Sequence, residues 1–489
     1  MAATSSLPLP ADFHPISAHM KKTAFISLLA MLGTVFAEQV TILGINDMHA
    51  NIDGVARLTT CVKQERAKAP QLLLFSAGDN RTGSPYVDCG DHPGIAMIQL
   101  MNHIGFDLSA LGNHEFDSGP AALAYCINAA DFDFVSANVF PTDQHGIDLK
   151  PYKIFERNGV RIGVLGLLQV DTTGRPDAHP DMCKGIGFLD PLKVAEHYKY
   201  LRSQCDVLIL LTHLGFETDI ELARRFPEAD AIIGGHSHTK VENGHLENGV
   251  LITQTQNKFK YLTRLTLEVE NGKVVSKKAE LLPLGAYEAD TETTAMVEQI
   301  KAQPFFKRVL TTVKRDIPRR ESLGCMMADA IRSCVGTEIA IVNMGNVRLD
   351  SFPAGPLTVA DVYSLDPFGN DTIRMTVTGA ELIRVLENIT QNDDHGAPCV
   401  SGMSYKAVWP KGADRMRVTS ACLPDGTPIN PEARYTLAIN SYLCATTEAM
   451  PADPGVSAKI DGATSMIRAF EAMSEIDYAD ISRVETSKE

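Results

Sequence analysis

Short apolar segments alternate with amphipathic segments in the first half of the chain. Five apolar segments have the length of a buried strand and are rich in leucine and β-branched residues: VTILGI near residue 41, LLLF at 72–75, RIGVLGLL at 161–168, VLILL at 207–211 and AII at 231–233. Continuous apolar runs of this kind indicate strands that are covered on both faces of a sheet. Residues 120–129, 191–204 and 220–225 carry helical spacing between these runs. The alternation predicts an α/β layered domain over residues 38–285.

A second pattern begins after Leu284. Residues 287–303 are charged and rich in Thr and Glu, which predicts a linker leading into a helix within 286–310. From about Thr311 to the end, the chain mixes predicted helices at 323–335 and 379–390 with predicted strands at 339–343, 372–378 and 435–439. We therefore predict a second α/β domain over residues 311–489, and we find no internal repeat.

Composition and charge narrow the class of partner. The chain has 489 residues, more than one hydrophobic core usually organises, and its apolar and charged fractions of 44% and 21% are those of a soluble protein. The formal net charge of −15 surrounds the molecule with a negative field that repels a nucleic-acid polymer. A small phosphorylated substrate is compatible with this charge only where metal ions or arginines reverse the local field. The oligomeric state does not follow from the sequence.

The first 37 residues have the pattern of a targeting segment. From Met20, two lysines precede an apolar run and small residues that end at Ala37, which is typical of a secretory signal peptide cleaved before Glu38. The apolar run is shorter than the roughly 20 residues that span a bilayer, so a retained membrane helix is the weaker interpretation. Residues 1–19 have no such pattern, and Met20 is an alternative start. We expect a periplasmic or secreted protein without stable membrane insertion.

The cysteines agree with export. Their number, ten, is even, and none stands in a Cys-x-x-Cys or Cys/His arrangement that would indicate structural zinc. An oxidising compartment permits disulfides, so we expect structural disulfides, although the pairing does not follow from the sequence.

Polar side chains that carry carboxylate, imidazole or amide groups follow the apolar runs. They are Asp47 and His49 in GINDMH, Asp79 in SAGD, Asn113, His114 and Asp117 in LGNHEFD, His213 in LLTHLG, and His236 and His238 in IIGGHSH. Ligand sites of open α/β sheets gather at the carboxyl ends of strands, so we expect these residues to meet in one crevice.

Each of these residues also has an ordinary structural interpretation. Asp47 alone could cap a helix or occupy a turn, Asp79 could lie in a turn, and His213 could be a hydrogen-bonded histidine at a strand end. His236 and His238 are harder to explain in this way, because residues two apart on an extended segment point to the same side. Five strand ends that all terminate in Asp, Asn or His favour a common site.

The order of these motifs identifies a resemblance. DxH, GD, GNHEFD, THxG and GGHSH in this order resemble the calcineurin-like metallophosphoesterase domain, and GNHEFD with GGHSHT is similar to 5'-nucleotidases and UDP-sugar hydrolases. Asn343, Gly345 and Arg348, the turn DPFGN at 366–370 and VSGMSY at 400–405 extend the similarity over residues 38–489. The resemblance implies a four-layer α/β/β/α metallophosphoesterase domain followed by a 5'-nucleotidase-like α/β domain that binds substrate.

The resemblance also implies two divalent metal ions. One ion would be held by Asp47, His49 and His238, the second by Asn113, His213 and His236, and Asp79 would bridge them. Nitrogen and oxygen ligands without thiolate suit Zn, Mn or Fe, and the identity of the metal stays open.

Further residues receive roles from the same resemblance. His114 would face the phosphoryl group, and Asp117 would orient its ring and favour the imidazolium. In the second domain, Arg348 would meet the substrate phosphate, with Asn370 nearby and Arg374 as a helper. Closure about residues 287–303 would bring Arg348 to the metals.

The sequence thus predicts an exported dinuclear-metal phosphohydrolase, a phosphoric ester hydrolase of 5'-nucleotidase type. 5'-Nucleotides are the default substrates, with nucleotide sugars or cyclic nucleotides as related ones. The alternatives are a phosphomonoesterase for a non-nucleotide substrate, a thiosulfohydrolase on the same scaffold, or a binding protein that retains the fold. His114 within an intact GNHEFD argues against the thiosulfohydrolase, and the complete ligand set argues against loss of catalysis.

The sequence departs from the family at the base-binding positions. Nucleotidases of this family usually hold the base between two aromatic rings, whereas the corresponding positions here are Ala397 and Met450. A ring contributes about 1–3 kcal/mol of base stacking, and methionine recovers only part of it. We therefore predict weak discrimination among bases. The alternative is that Phe368, Tyr405 or Tyr442 supplies the ring.

Overall fold

The structure is a computed structural model that describes residues 37–89, 92–143, 146–389, 396–413, 415–447 and 450–488. All of these residues belong to one unit, Ala37–Glu489. The predicted signal segment lies outside the described residues except for Ala37, so its expected cleavage has no structural counterpart here. None of the helices in the described ranges is long and apolar enough to span a membrane.

The first half of the chain alternates strands with helices. Strands β1 to β14 are, in chain order, Glu38–Ile45, Leu73–Ser76, Leu108–Ala110, Asp133–Val135, Val139–Pro141, Tyr152–Arg157, Val160–Leu168, Ile186–Phe188, Val207–His213, Ala231–Ile233, His245–Glu247, Val250–Thr253, Tyr261–Glu270 and Lys273–Pro283. Helices α1 to α6 are Val55–Lys68, Pro85–Asp88, Ile95–Ile104, Gly119–Ala129, Pro191–His197 and Phe216–Arg225. The helix predicted over 191–204 is shorter than expected, because the Tyr198 N–H bonds to Ala195 O and a 3-10 segment, Lys199–Ser203, follows.

These strands form two six-stranded sheets. The first sheet has the order β14-β13-β1-β2-β3-β4, and its four strands β1 to β4 are parallel. The second has the order β11-β12-β10-β9-β7-β6, with β12, β10, β9 and β7 parallel. The carboxyl ends of the central strands of each sheet are therefore aligned at one edge.

The apolar side chains on both faces of each sheet build a four-layer domain. Side chains from the two sheets, such as Phe75, Ile162, Ile209 and Leu265, fill one core between them. The opposite face of the first sheet packs on α1 and α3, and that of the second sheet packs on α5 and α6. The order of layers is α/β/β/α, which confirms the predicted fold class.

A helix leads into the second half of the chain. Helix α7 is Thr291–Lys301, and the Asp290 carboxylate accepts the Thr293 N–H at 3.0 Å at its start. Strands β15 to β25 are Val309–Val313, Ile339–Val342, Gly355–Thr358, Asp371–Thr378, Cys399–Ser401, Ser404–Trp409, Arg417–Cys422, Arg434–Asn440, Val456–Asp461, Glu475–Ile476 and Val484–Lys488. Helices α8 to α12 are Arg320–Val335, Val359–Leu365, Gly379–Ile389, Ser441–Thr446 and Gly462–Glu471.

The centre of the second half is a five-stranded mixed sheet with the order β19-β16-β22-β18-β23. One face packs on α8, α9 and α12 through residues such as Met326, Val362 and Met466. The other face packs on α10 and on the small sheet β21-β20-β25 through residues such as Leu386 and Tyr405. This confirms the predicted second α/β region.

The expected disulfides are not present in the structure. All ten cysteines are free, and six of them, Cys61, Cys126, Cys183, Cys205, Cys325 and Cys399, are buried. They lie within three different hydrophobic cores, where a thiol packs as a small apolar group. The prediction of export therefore rests on residues 20–37 and not on the thiols.

Candidate metal centre

The carboxyl ends of five strands bring the predicted ligands together. Asp47 follows β1, Asp79 follows β2, Asn113 follows β3, His213 ends β9, and the His236 segment follows β10. Each of the first four side chains is at most 3% exposed. Buried carboxylates and imidazoles are costly unless they are paired or coordinate a metal, so this arrangement already indicates a site.

Three side chains converge at one end of the centre. The Nε2 atoms of His49 and His238 are 2.9 Å apart, and Asp47 Oδ1 lies 3.7 Å from the first and 3.2 Å from the second. Two imidazole nitrogens and a carboxylate oxygen at this separation form a typical ligand set for one divalent ion.

Asp79 joins this group to the other ligands. Its Oδ2 lies 3.2 Å from His213 Nε2 and 4.0 Å from His49 Nε2, so one carboxylate oxygen faces both groups. The Asn113 amide oxygen lies 3.0 Å from His236 Nδ1. The His236 N–H donates to Asp47 Oδ2 at 3.0 Å, so all seven predicted ligands lie in one continuous cluster.

Unpartnered buried atoms test whether a metal fits. Asp47 Oδ1 and His213 Nε2 are buried and have no hydrogen-bond partner, although the other oxygen of Asp47 accepts from His236 N at 3.0 Å and Asn46 Nδ2 at 2.6 Å. Asp79 Oδ2 lies 3.2 Å from His213 Nε2 and His238 Nε2 lies 3.2 Å from Asp47 Oδ1, but neither contact counts as a hydrogen bond. Coordination to a cation would satisfy both buried atoms. The donor set therefore fits divalent metal ions.

The backbone of the ligand loops is unusual. Five of the seven predicted ligands have positive φ angles: Asp47 at 50°, His49 at 46°, Asp79 at 52°, His236 at 80° and His238 at 54°. Such conformations are rare outside glycine and persist only where surrounding contacts fix them. The loops thus hold the ligand side chains in a preset orientation.

Neighbouring groups orient the imidazole ligands. His213 Nδ1 lies 2.8 Å from Ala77 O, which favours a proton on Nδ1 and leaves Nε2 free for a metal. The Asn257 amide lies 3.0 Å from His238 Nδ1 and orients that ring. Asn113 Nδ2 donates to Asp177 O at 3.0 Å, which directs its amide oxygen into the cluster.

The charges of the cluster shift the pKa values of its members. Burial disfavours protonation of His213, but the carboxylates of Asp79 and Asp47 outweigh burial and raise the pKa of its ring to about 10. Burial and then the neighbouring His213 lower the pKa of His236 to about 4. Opposite shifts in adjacent groups are typical of functional sites.

His114 and Asp117 form a pair beside the cluster. Asp117 Oδ2 lies 2.7 Å from His114 Nδ1 and also accepts the Thr82 hydroxyl at 2.7 Å. Burial opposes protonation of His114, but Asp117 and Asp79 outweigh it and raise the pKa of the ring to about 9. Because Nδ1 is engaged by Asp117, Nε2 is the atom that is left for a ligand.

The second half of the chain places Arg348 at the centre. Its guanidinium lies 5.5 Å from the Phe368 ring centroid, and this ring lies 6.0 Å from the ring of His114. Burial and then the positive charge of Arg348 lower the pKa of His49 well below its usual value. Arg320 holds the loop before Arg348, since it donates to Met344 O and Val347 O at 2.7 Å.

The other two predicted substrate residues lie elsewhere. Asn370 lines an interior cavity with Asp366 and Asn346, and its carbonyl accepts the Gly462 N–H at 3.2 Å. Arg374 is exposed on β18, and its side chain makes no hydrogen bond or ion pair with any described residue. The structure thus brings Arg348 to the metal centre but gives Asn370 and Arg374 no contact with it.

The rings proposed for base stacking differ in their availability. Tyr405 is buried and donates its hydroxyl to Pro398 O at 2.7 Å, so its ring belongs to the core. Tyr442 donates to Asp177 Oδ1 at 2.6 Å, and Phe368 lies between Arg348 and His114. Ala397 and Met450 pack against the core of the second half.

Sequence reasoning missed several supporting residues. Glu115 accepts backbone N–H groups of both ligand loops, and its position inside GNHEFD was the available signal. Asn257 and Asp177 have no comparable signal, because their partners His238 and Asn113 are brought to them only by the fold.

Comparisons with known proteins agree with this geometry. Residues 40–240 match the calcineurin-like phosphoesterase family, whose members use two divalent metal ions, and residues 302–452 match the 5'-nucleotidase C-terminal domain. The trifunctional nucleotide phosphoesterase protein YfkN of Bacillus subtilis is 27% identical over 83% of this chain, which spans only 32% of that relative. The chain is thus about a third as long as that match.

Two relatives are similar over most of their length. A 5'-nucleotidase of Vibrio cholerae is 30% identical over 76% of this chain and 81% of its own length. The crystal structure of a 5'-nucleotidase precursor from Thermus thermophilus superposes with a TM-score of 0.80, at 26% identity, over 92% of this chain and 99% of that one. The chain belongs to the 5'-nucleotidase family of metal-dependent phosphoester hydrolases.

Proposed function

We propose that this protein removes phosphate from small phosphomonoesters, with 5'-nucleotides as the default class. The observation that carries the proposal is the cluster of seven N and O ligands in which Asp47 Oδ1 and His213 Nε2 are buried without a hydrogen bond. The guanidinium of Arg348 beside it offers the positive charge that a phosphate requires in a protein of net charge −15.

We assign the ligands as two sets. Asp47, His49 and His238 would hold one ion, Asn113, His213 and His236 the other, and Asp79 would contact both. The short distances within the first set and the position of Asp79 Oδ2 between the sets support this division. When bound, two such ions would supply positive charge that favours a hydroxide nucleophile and neutralises the phosphoryl oxygens.

The remaining residues act on the substrate directly or through a neighbour. His114 would present Nε2 to the phosphoryl group or the leaving oxygen, and Asp117 would keep its ring protonated and oriented. Arg348 would bind the phosphate, with its guanidinium stacked on Phe368. Asn370 and Arg374 have weaker support, because neither side chain contacts the centre in the described part of the chain.

We further propose that residues 38–285 form the catalytic domain, 286–310 a linker with helix α7, and 311–489 the substrate-binding domain. The substrate would bind between the two domains, and their relative movement would admit it. The contacts of Phe368 with His114 support a site shared by both halves.

We propose export to the periplasm or the medium on the basis of residues 20–37. The relative from Thermus thermophilus is described as a precursor, which supports processing of such chains. Intact-mass measurement of protein recovered from the exported fraction tests the proposal. A mature chain beginning at Glu38 is expected, and an exported chain that retains residues 20–37 would contradict it.

Phosphate release tests the activity. The purified protein, loaded with Mn²⁺ or Zn²⁺, is assayed on nucleoside monophosphates, nucleotide sugars and sugar phosphates, with the Asp79→Asn variant as the inactive control. We expect release from at least the monophosphates by wild type alone. A protein that binds two metal ions but releases no phosphate from any of these would be a binding protein.

A non-nucleotide phosphomonoester is the second candidate substrate. Ala397 and Met450 stand where the family has aromatic rings, and both side chains pack against the core of the second half. The phosphate-binding part of the site does not depend on either residue. We therefore expect the phosphate group to contribute more than the base to recognition of the substrate.

A further inference from the structure

A buried carboxylate at the metal centre has no role among the predicted ligands. Glu115 is 5% exposed, and its two oxygens accept three backbone N–H groups. Oε2 accepts from Asp79 at 3.0 Å and from Gly112 at 2.6 Å, and Oε1 accepts from Asn80 at 2.8 Å. One side chain thus contacts both loops that carry the ligands Asp79 and Asn113.

The contact between these loops is reciprocal. Glu115 belongs to the second loop and accepts from the backbone of the first. Asp79 belongs to the first loop, and its Oδ1 accepts the backbone N–H of His114 in the second at 2.9 Å. Asp79 Oδ2 is left to face His213 Nε2 at 3.2 Å. The two carboxylates therefore fix the distance between the loops and the direction of the Asp79 side chain.

Two glycines let the loops approach this closely. A Cβ atom at Gly78 would lie 2.5 Å from the backbone nitrogen of Gly112, and a Cβ atom at Gly112 would lie 2.1 Å from Asp79 Oδ1. Asp79 itself has a φ of 52°, a conformation that its neighbours must impose. The hydrogen bonds of Glu115 supply this constraint at the Asp79 N–H.

We propose that Glu115 is a positioning residue that sets the metal affinity of the centre by holding Asp79 between the two ligand sets. The inference rests on the metal site proposed above. Glu115 does not face the cluster with a free oxygen, since both of its oxygens accept from the backbone. Its effect therefore acts through Asp79 and through the loop that carries Asn113 and His114.

The isosteric amide tests this role. The three N–H donors are shared between two acceptor oxygens, Oε1 and Oε2, and only a carboxylate offers two acceptor oxygens at these positions. In Glu115→Gln, an NH₂ group replaces one of the two oxygens and faces a backbone N–H, so at least one backbone donor loses its hydrogen-bond partner. The change adds no volume, which makes it a specific perturbation of the loop contact.

The experiment is a calorimetric titration of chelator-treated protein with Mn²⁺ alone. Wild type is expected to bind two ions, and Glu115→Gln is expected to bind at least one of them tenfold or more weakly. The matched control is Glu65→Gln, because Glu65 is also a buried carboxylate but accepts from Lys68 and Arg264, away from the centre. The control is expected to keep both affinities, even where its Tm falls.

Kinetics at saturating Mn²⁺ supply a second measurement. A displaced Asp79 is expected to lower kcat of Glu115→Gln tenfold or more and to change KM less than threefold, because Arg348 is untouched. A general loss of stability would lower the folded fraction without separating kcat from KM, and circular dichroism measures that fraction.

The outcomes separate the inference from the proposed function. Wild type that binds no Mn²⁺ would overturn the metal site and the inference together. Wild type that binds two ions, with a folded Glu115→Gln of equal affinity and kcat, would overturn only the role of Glu115. Should Glu115→Gln not fold, Glu115→Asp is measured instead, because it withdraws the carboxylate by one methylene. Wild-type affinity in that variant would overturn the role equally.

Discussion

At the scale of single residues, the centre contains buried polar atoms that make no hydrogen bond to the described residues. Asp47 Oδ1 and His213 Nε2 are buried and meet no hydrogen-bond criterion, while Asp47 Oδ2 and His213 Nδ1 are engaged by backbone or amide groups. This difference supports the proposal that Asp47 Oδ1 and His213 Nε2 are atoms that a metal would contact.

Asp79→Asn is expected to abolish phosphate release and to reduce the bound metal. In the proposed assignment the Asp79 carboxylate bridges the two ions and supplies negative charge toward both ligand sets, and an amide supplies none. Elemental analysis of the purified variant gives the metal content, and phosphate release gives the turnover. Two ions retained with full turnover would contradict the bridging assignment.

His114→Ala is expected to lower kcat by roughly 10²-fold or more while both metal ions stay bound. The reason is that His114 pairs with Asp117 through Nδ1 and is assigned to the phosphoryl group and not to coordination. Asp79→Asn serves as the contrast, because that variant should lose metal. A loss of metal in proportion to activity would show that His114 is a ligand.

At the scale of secondary-structure elements, the sequence predicted most of the scaffold but not its supporting contacts. The runs at 161–168 and 207–211 became the parallel strands β7 and β9, since a buried strand is visible as a continuous apolar run. The long hairpin of β13 and β14 was not predicted. Its strands carry charged residues at exposed positions, and the Asn271–Gly272 turn, with φ angles of 50° and 72°, was its local signal.

The same limit applies to the site. Ligands could be predicted because strand ends of a parallel sheet converge, whatever the loops do in detail. The contacts of Asn257 with His238 and of Asp177 with Asn113 could not, because they join loops that are 19 and 64 residues apart. No local pattern encodes such pairs.

The side chains at the expected base-binding positions predict weak recognition of the base. We expect kcat/KM for AMP to exceed that for ribose 5-phosphate by less than about a hundredfold, or about 2.7 kcal/mol. Ala397 and Met450 are half-buried and pack against the core, and Tyr405 is buried with its hydroxyl bonded to Pro398 O. Steady-state kinetics on AMP, UMP and ribose 5-phosphate measure the ratio. A larger advantage for AMP would mean that Phe368 or Tyr442 supplies an effective stack.

At the scale of the whole molecule, the buried carboxyl group of Asp219 links the free energy of unfolding to pH. Asp219 in α6 is fully buried, and burial raises its pKa to about 7, although the Thr212 hydroxyl donates to it at 2.7 Å and opposes the shift. Its Oδ2 has no partner. A carboxyl with a higher pKa in the folded chain than in the unfolded chain favours folding when protonated, so this contribution is lost as pH rises from about 4 to 7.

Asp219→Asn is therefore expected to raise the Tm at pH 8 and to leave it nearly unchanged at pH 4. The amide removes the buried charge and keeps an acceptor for Thr212. The effect at pH 8 corresponds to a few kcal/mol at most, from a shift of about three pKa units. Calorimetric scans of both proteins between pH 4 and 8 test it. A Tm difference independent of pH would mean that the carboxyl does not titrate in this range.

The hydrogen bond from Tyr442 to Asp177 joins the second half of the chain to the loop that orients Asn113. Asp177 is exposed, and such a bond contributes only about 0.5–1.5 kcal/mol, or a factor of roughly two to ten in an equilibrium constant. A hydrogen bond of this strength can form when the two halves are in contact, but it is too weak to prevent their separation. If phosphate binds as proposed, its release into solvent would be limited by departure from the metals and Arg348, and not by the contact between Tyr442 and Asp177.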